Sequence, residues 1–594
     1  MKTASGELPG AEGVQTRTAE TSRLTAALSY AILLGGLLTI ALSLYMVVTT
    51  CSNLPFWDGW TQIEVAANGR SPVSLSWLWQ QHNEHRLVLP KLFLAADLRF
   101  FQARQAFLLA SIFAIQLLHL ALLSWSMKVL GGWSGTLWRA GTGLAAFCLF
   151  CPTQSENFTW GFQVCFILPP FFATLSFVAL LLHWTEVQRQ PGKHISPKFL
   201  IVSILAATGA AYSLASGNLL WPLLVAATIC LRLRARVILS FAAMGAISTA
   251  LYMYHYARPA GHANPLTSLG APLKMLQYCF TYFFSGWPYY HTPERLLLSY
   301  GMPLVMLTLL FAALPYVRKF RPFAVQLVLT ISYCVATALI TATGRMNFGI
   351  SQSTASRYQT VALLFWCCLG LLWLGGAFFA QPRIPYLFFV AQVCLLAIFG
   401  VAAARAKYQI WMARGHAFSQ QAATAALLTG VGDPLSLAQI YPEKKMLTKT
   451  VPYMRANRLS IFAGTPSSTL GKSLDSVFPL TDPSECAGAL ETVFPVDNSF
   501  AHGSELGPAT GFGPGLRVLG WAWDTKHQRI PSAIAVAIDG KLVGLGATGN
   551  WRPPRSDGFV AFSPELSRQS TASFYAILNT SPPSACYIAR LFVK

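Results

Sequence analysis

Charge is what this chain has least of. Only 11% of its 594 residues are charged, and 22 Asp and Glu stand against 43 Lys and Arg. An ordinary soluble domain carries roughly a quarter, so a wholly soluble chain is excluded. A solvated basic stripe with interleaved aromatics is also missing, so the net charge of +21 does not point to nucleic acid. The first apolar run, Leu24 to Thr49, is followed by no small-x-small cleavage site and is too long for a signal-peptide core. It reads as an uncleaved first span. No Gly-rich phosphate loop lies among the basic loops, so no nucleotide cofactor is expected. The soluble-looking tail holds only two cysteines, Cys486 and Cys586. They make one natural disulfide in an oxidising compartment, two unpaired buried thiols being the alternative.

What is present is a succession of apolar runs from Leu24 to about Ala404. A helix needs about 20 apolar residues to cross the hydrocarbon core. Segmentation gives about eleven spans, near 24–49, 106–127, 136–151, 164–184, 199–214, 218–231, 237–256, 296–316, 324–343, 358–380 and 386–404. Lys128 and Arg139, Arg189 to Lys198, Arg232 to Arg236, Arg318 to Arg321 and Arg383 then share one side, which the positive-inside rule makes cytoplasmic. The other side receives 50–105, 152–163, 214–217, 257–295, 344–357 and everything after Arg405. The N-terminus is thus expected inside and the C-terminus outside.

The outer loops still carry cations, acids and aromatics together, as a site for a phosphorylated amphiphile would. Asp58 lies just past the first span between Trp57 and Trp60. It is either a chance acid in an aromatic belt or a carboxylate able to act as a general base or hold a cation. The run Gln80-Gln81-His82-Asn83-Glu84-His85-Arg86 lacks the His-Glu-x-x-His spacing of zinc hydrolases. It reads as a polar helix lining a pocket, with Arg86 facing phosphate, continued from Leu87 to Phe101 by a helix lying in the interface. The second outer loop holds Glu156, its only acid, with Asn157 and Gln163. The loop from Gly344 to Tyr358 gathers Arg345, Arg357 and several hydroxyls, suited to phosphate because guanidinium offers bidentate donors. Arginines snorkelling from helix ends are the alternative.

On these residues the chain resembles the GT-C superfamily of polyprenyl-phosphate-sugar-dependent glycosyltransferases, in particular its bacterial members with Trp-Asp after the first span and a Gln-His-Asn-Glu-His-Arg run. The resemblance covers roughly residues 24–460. It implies Asp58 as catalytic base or metal-linked acid, Glu156 as a second catalytic acid, and Arg86, Arg345 and Arg357 as phosphate ligands. His82, Glu84, His85, Asn157, Gln163 and Tyr358 join them as candidate substrate-binding residues. Many members carry two adjacent acids in the first loop, whereas Asp58 is followed by Gly59; a divalent cation is therefore left open.

Beyond Arg405 the chain reads helical and amphipathic to about Phe462, and Ala463 to Ser473 reads as a linker. The pattern then turns to period two. Strands are expected at Leu516–Trp523, Phe559–Phe562, Ser573–Leu578 and Tyr587–Val593. A hairpin is expected across Asp539-Gly540. The expected fold is a polytopic α-helical membrane protein with a C-terminal all-β sandwich. Its parts are a cytoplasmic tail (1–23), a GT-C-like membrane domain (24–404), a periplasmic helical segment and linker (405–473) and a periplasmic sandwich (474–594). Trp521, Trp523 and Trp551 are either core or carbohydrate-facing.

The expected function is transfer of a sugar from a polyprenyl-phosphate donor to an envelope glycan or lipid acceptor, at the outer face of a bacterial inner membrane. Its partners would be that donor, that acceptor and the bilayer. A flippase for lipid-linked glycan and a non-enzymatic scaffold for envelope polysaccharide assembly are the alternatives.

Overall fold

A chain that enters hydrocarbon must satisfy its own backbone N–H and C=O groups, and the apolar runs accordingly fold as helices. The computed structural model describes residues 11–190, 196–259, 268–284, 321–380, 386–497, 512–549, 557–566 and 570–592. The first span is α1 (Ala11–Thr50). The loop after it carries α2 (Thr61–Ala67), α3 (Leu75–Trp79) and α4 (Val88–Phe100). The bundle continues with α5 (Ala106–Val129), α6 (Gly135–Phe150), the short α7 (Ser155–Thr159), α8 (Val164–Arg189), α9 (Lys198–Ala211), α10 (Leu220–Cys230) and α11 (Ala235–Met253). Then follow α12 (Pro272–Phe284), α13 (Pro322–Arg345), α14 (Gln359–Ala380) and the long α15 (Leu387–Thr429).

Among the described residues six helices are long and apolar enough to cross a membrane: Arg23–Thr50, Ala106–Val129, Gly161–Arg189, Ala235–Met253, Pro322–Phe348 and Ser356–Ala380. This differs from the about eleven spans read from the sequence. At 1.5 Å per residue, the apolar helices Lys198–Ala211, Ala215–Cys230 and Leu387–Gly400 are shorter than the hydrocarbon core, as is α6. The expected span at 296–316 lies outside the described residues, as does Trp551.

Side-chain contacts set the helix directions. Ser29, Gly36 and Ser43 of α1 meet Arg139, Gly143 and Phe150 of α6, so the two run parallel. Thr25, Gly35 and Tyr45 meet Gln392, Phe399 and Arg414, so α15 is parallel to α1 as well. α5 runs the other way, with Gln116 Nε2 donating to Leu149 O at 3.0 Å and Trp138 Nε1 to Ser124 O at 3.0 Å. The α1–α6 crossing is close because it is lined by glycine: a Cβ on Gly143 would stand 2.5 Å from Ile32 O, and one on Gly36 2.4 Å from Gly143 O. One end of the bundle therefore collects the loops around 51–105, 151–163, 212–219, 254–259 and 346–358. The chain beyond α15 lies at that end too, where Ser460 Oγ donates to Asn53 O at 2.5 Å and Arg104 Nη2 to Ala463 O at 2.9 Å.

Past α15 lie α16 (Pro434–Ile440) and α17 (Lys444–Ala456), then a sheet of β1 (Cys486–Val496), β2 (Gly515–Asp524), β3 (Ala533–Ile538), β4 (Lys541–Thr548), β5 (Gly558–Pro564), β6 (Thr571–Leu578) and β7 (Ser584–Phe592). The strands expected from the period-two pattern are present, and β1 is an addition to them. Asp539 (φ 50°) and Gly540 (φ 73°) make the β3–β4 turn, a conformation that favours Asp-Gly. The sandwich is corrected: the strands form a single antiparallel sheet in the order β1-β2-β5-β4-β3-β6-β7, curled into a barrel-like shape. Its two edges meet where Gly488 of β1 lies against Ile588 of β7 and where Cys486 is bonded to Cys586. Alternation leaves Trp521 and Trp523 half-buried on the face opposite Val518 and Ala522. Of the expected linker 463–473, Thr465–Thr469 is a short helix and the end runs along the sheet, with Gly471 N donating to Leu542 O at 2.7 Å. One apolar core joins Leu54, Trp60 and Ile63 of the first loop to Ala423 and Leu427 of α15 and Phe562 of β5. The loop that carries Asp58 is thus clamped between bundle and tail.

Candidate functional site

Residues 82–85 form a tight turn rather than the expected polar helix. His82 N donates to His85 O and His85 N to His82 O, each at 2.8 Å, with Asn83 in the left-handed region (φ 49°). The three-residue spacing of the histidines suits a helix face, but a reciprocal pair of backbone bonds brings them opposite each other just as well. The turn presents its side chains to two places. His82 Nε2 lies 3.5 Å from Asp58 Oδ1, and its ring stands 5.3 Å from Phe162. Glu84 instead accepts a hydrogen bond from Arg345 Nη2, and His85 Nδ1 accepts from Ala215 N at 3.4 Å.

Glu84, His85 and Arg345 stand on a cavity of about 370 Å³ at the same end of the bundle. Its wall is apolar and aromatic: Phe166, Leu214, Ile340, Val361, Tyr252 and Tyr282 line it, with Tyr358 beside them. Its polar groups include Glu84, His85, Arg258 and Arg345, with the hydroxyls of Ser216, Thr337 and Thr341. Pro169 and Pro170 also line it from within α8. A helix-interior proline removes an N–H and leaves the carbonyl four residues back without its partner. The reversal between α9 and α10 contributes Ala215, Ser216 and Asn218. It depends on Gly217, where a Cβ would stand 1.9 Å from Ala210 O.

Beside the cavity a second ion pair joins two loops: Arg357 Nη1 is 3.6 Å from Glu156 Oε2, which also accepts from Arg357 N at 3.1 Å. Asn157 Nδ2 donates to Arg357 O at 3.1 Å and to Thr360 Oγ1 at 2.8 Å, so it fastens these loops together. Gln163 is fully buried at the start of α8. Tyr358 stacks on Tyr282 at 5.3 Å.

Arg86 is the clear departure from the expected phosphate ligands. It is 3% exposed. Its Nε donates to Tyr252 O at 2.6 Å, Nη1 to Trp79 O at 2.7 Å, and Nη2 to Tyr254 O. With these donors engaged and the head group buried, Arg86 ties the first loop to the end of α11. The helix expected from Leu87 to Phe101 is present as α4, with Leu92 and Phe100 exposed and Lys91 and Asp97 pointing into the protein. Lys91 Nζ donates to Trp77 O at 2.7 Å, and burial with Arg86 nearby brings it down to about 8. Burial pushes Asp97 up to about 7, against a hydrogen bond from Gln105 N at 3.3 Å.

Arg258, Tyr252, Tyr282 and the Ser216–Asn218 turn are cavity residues that the sequence reading did not single out. Arg258, just past a span, was the one with a visible signal. Burial also pushes Tyr441, after α16, up to about 12, with Glu443, Asp58 and Glu64 adding to the shift. Among the described residues no three His, Cys, Asp or Glu side chains converge as a metal site. The arrangement offers an apolar cavity with cations at its rim, and a carboxylate facing an imidazole beside it. No family model, no curated protein and no solved structure matches the chain.

Proposed function

We propose that this protein is a membrane glycosyltransferase that takes a sugar from a polyprenyl phosphate and passes it to an envelope glycan or lipid acceptor. One observation carries the proposal: an apolar, aromatic cavity lined also by Arg258, Arg345, Glu84 and His85, with His82 of the same 82–85 turn facing Asp58. The apolar wall suits prenyl carbons, and the arginines suit the phosphate. Phosphoryl oxygens can compete for Arg345 with Glu84, and guanidinium can stabilise charge on the leaving phosphate.

In the transfer the acceptor hydroxyl oxygen bonds to the anomeric carbon as the bond from that carbon to the phosphate oxygen breaks. The lipid phosphate leaves with the electron pair, and Asp58 takes the hydroxyl proton, with inversion at carbon. His82, 3.5 Å away, orients Asp58. The site is assigned to the outer face of a bacterial inner membrane, with the N-terminus cytoplasmic and the C-terminal sheet periplasmic.

The test compares wild type with Asp58→Asn at matched membrane expression, following label from polyprenyl-phosphate sugars into envelope glycan. The expected result is transfer by wild type and at least a hundredfold loss in the variant. Undiminished transfer would remove Asp58 from the chemistry. No transfer by wild type would favour a flippase or a scaffold.

A further inference from the structure

Around Asp58 lie two indole nitrogens with no hydrogen-bond partner among the described residues, Nε1 of Trp60 and Nε1 of Trp160, and beside them Nε2 of His82, whose one contact there is Asp58 Oδ1 at 3.5 Å. Buried polar atoms are overwhelmingly paired, so each exception asks for an explanation. Trp60 is fully buried, and an indole N–H can only donate. Trp160 is held firmly: its ring meets Phe56 edge-on at 5.3 Å and stacks on Phe162 at 5.9 Å. Its Nε1 lies 3.9 Å from where a Cβ on Gly59 would stand, beside the backbone of Asp58. Glycine at 59 leaves that approach open. Gln163, fully buried, also has both side-chain amide atoms unpartnered among the described residues. Its backbone N–H donates to Trp160 O at 2.9 Å.

His82 and Trp160 both pack on Phe162, while Glu84 and His85 of the same 82–85 turn line the cavity. Residues that exchange both backbone bonds stand about 5.5 Å apart at Cα, so the turn is narrow. On the lipid-phosphate reading, a phosphate held at Arg345, which bonds Glu84 of this turn, would carry its sugar beside the turn. That group has to satisfy donors fixed by aromatic packing, which is what hydroxyls on a ring can do.

We propose that Trp160 is a specificity-determining residue, its indole N–H donating to a hydroxyl of the transferred sugar. This rests on the lipid-phosphate reading above and assigns the sugar end of the same ligand. A site built to bond a hydroxyl discriminates strongly against ligands lacking it, because its own buried groups are then left unpaired.

The experiment uses the full chain in lipid nanodiscs and compares the dissociation constant of farnesyl phosphate with those of farnesyl-phosphate hexoses and pentoses. The expected result is a gain of about three- to tenfold for at least one sugar-bearing probe. Trp160→Phe, which keeps the ring contacts, loses that gain and leaves farnesyl phosphate affinity unchanged. Gly59→Ala, whose added methyl would stand 3.9 Å from Trp160 Nε1 in ordinary contact with its surroundings, carries the same comparison should Trp160→Phe not fold. A gain that survives both variants overturns the proposal. So does the absence of any gain, which would mean that the cluster holds only water. Failure of farnesyl phosphate itself to bind would instead remove the lipid-phosphate reading, and this assignment with it.

Discussion

Replacing Arg86 by lysine should loosen the outer loops rather than weaken a ligand. The guanidinium reaches three carbonyls on two segments, Trp79 O before the 82–85 turn and Tyr252 O and Tyr254 O at the end of α11. A lysine ammonium is a point charge on a flexible stem and cannot reproduce that fork, so at least one carbonyl loses its donor. A hydrogen bond to a charged group contributes about 1.5–3 kcal/mol, which puts Arg86→Lys at roughly 2–3 kcal/mol. Arg86→Met removes all three and should destabilise by roughly 3–5 kcal/mol, the range for disrupting a buried charged network. The assay is thermal unfolding in detergent together with hydrogen exchange of residues 79–86 and 252–257. Faster exchange in both segments and a lowered midpoint are expected. An unchanged midpoint with at least tenfold weaker farnesyl phosphate binding would refute the structural role and restore Arg86 as a phosphate ligand.

Asp97 should make stability fall with rising pH. Its folded carboxyl sits at about 7 against an ordinary 3.8, so the unfolded chain ionises first. Stability is lost between about pH 4 and pH 7 and stays at the lower level above that. Asp97→Asn should therefore be the more stable protein at pH 8, by at most about 4 kcal/mol, and much closer to wild type at pH 4; an equal gap at both pH values in thermal melts would count against this. The Cys486–Cys586 bond closes a sequence separation of 100 residues. In the chain-entropy account such a loop is worth up to about 4.7 kcal/mol. Reduction, or the double change to serine, should speed proteolysis at β1 and β7, and equal protease resistance of the two forms would disprove it.

Helix existence was readable because an apolar run is local, and the β3–β4 turn because Asp539-Gly540 matches the positive φ at both positions. The 82–85 segment was misread because His82 and His85 fit a helix face and a reciprocal turn equally, and Asn83 at φ 49° settles it only once backbone bonds form. Arg86 was misread because an arginine in a polar run looks the same whether it meets a ligand or a carbonyl. Its partners at Tyr252 and Tyr254 stand 166 and 168 positions away.

Composition and periodicity by themselves determined that the described part of the first four hundred residues is built on apolar helices and that the tail turns to strands, since both follow from the spacing of side chains along a single segment. Tertiary structure alone decided that the strands make one curled sheet instead of two stacked ones, and that Asp58 faces His82. It also decided that Glu84 reaches Arg345, 261 positions on, and Glu156 reaches Arg357, 201 positions on. Those partners are chosen by helix packing, which brings distant loops to one end of a bundle, and no local pattern in the chain encodes which loop meets which.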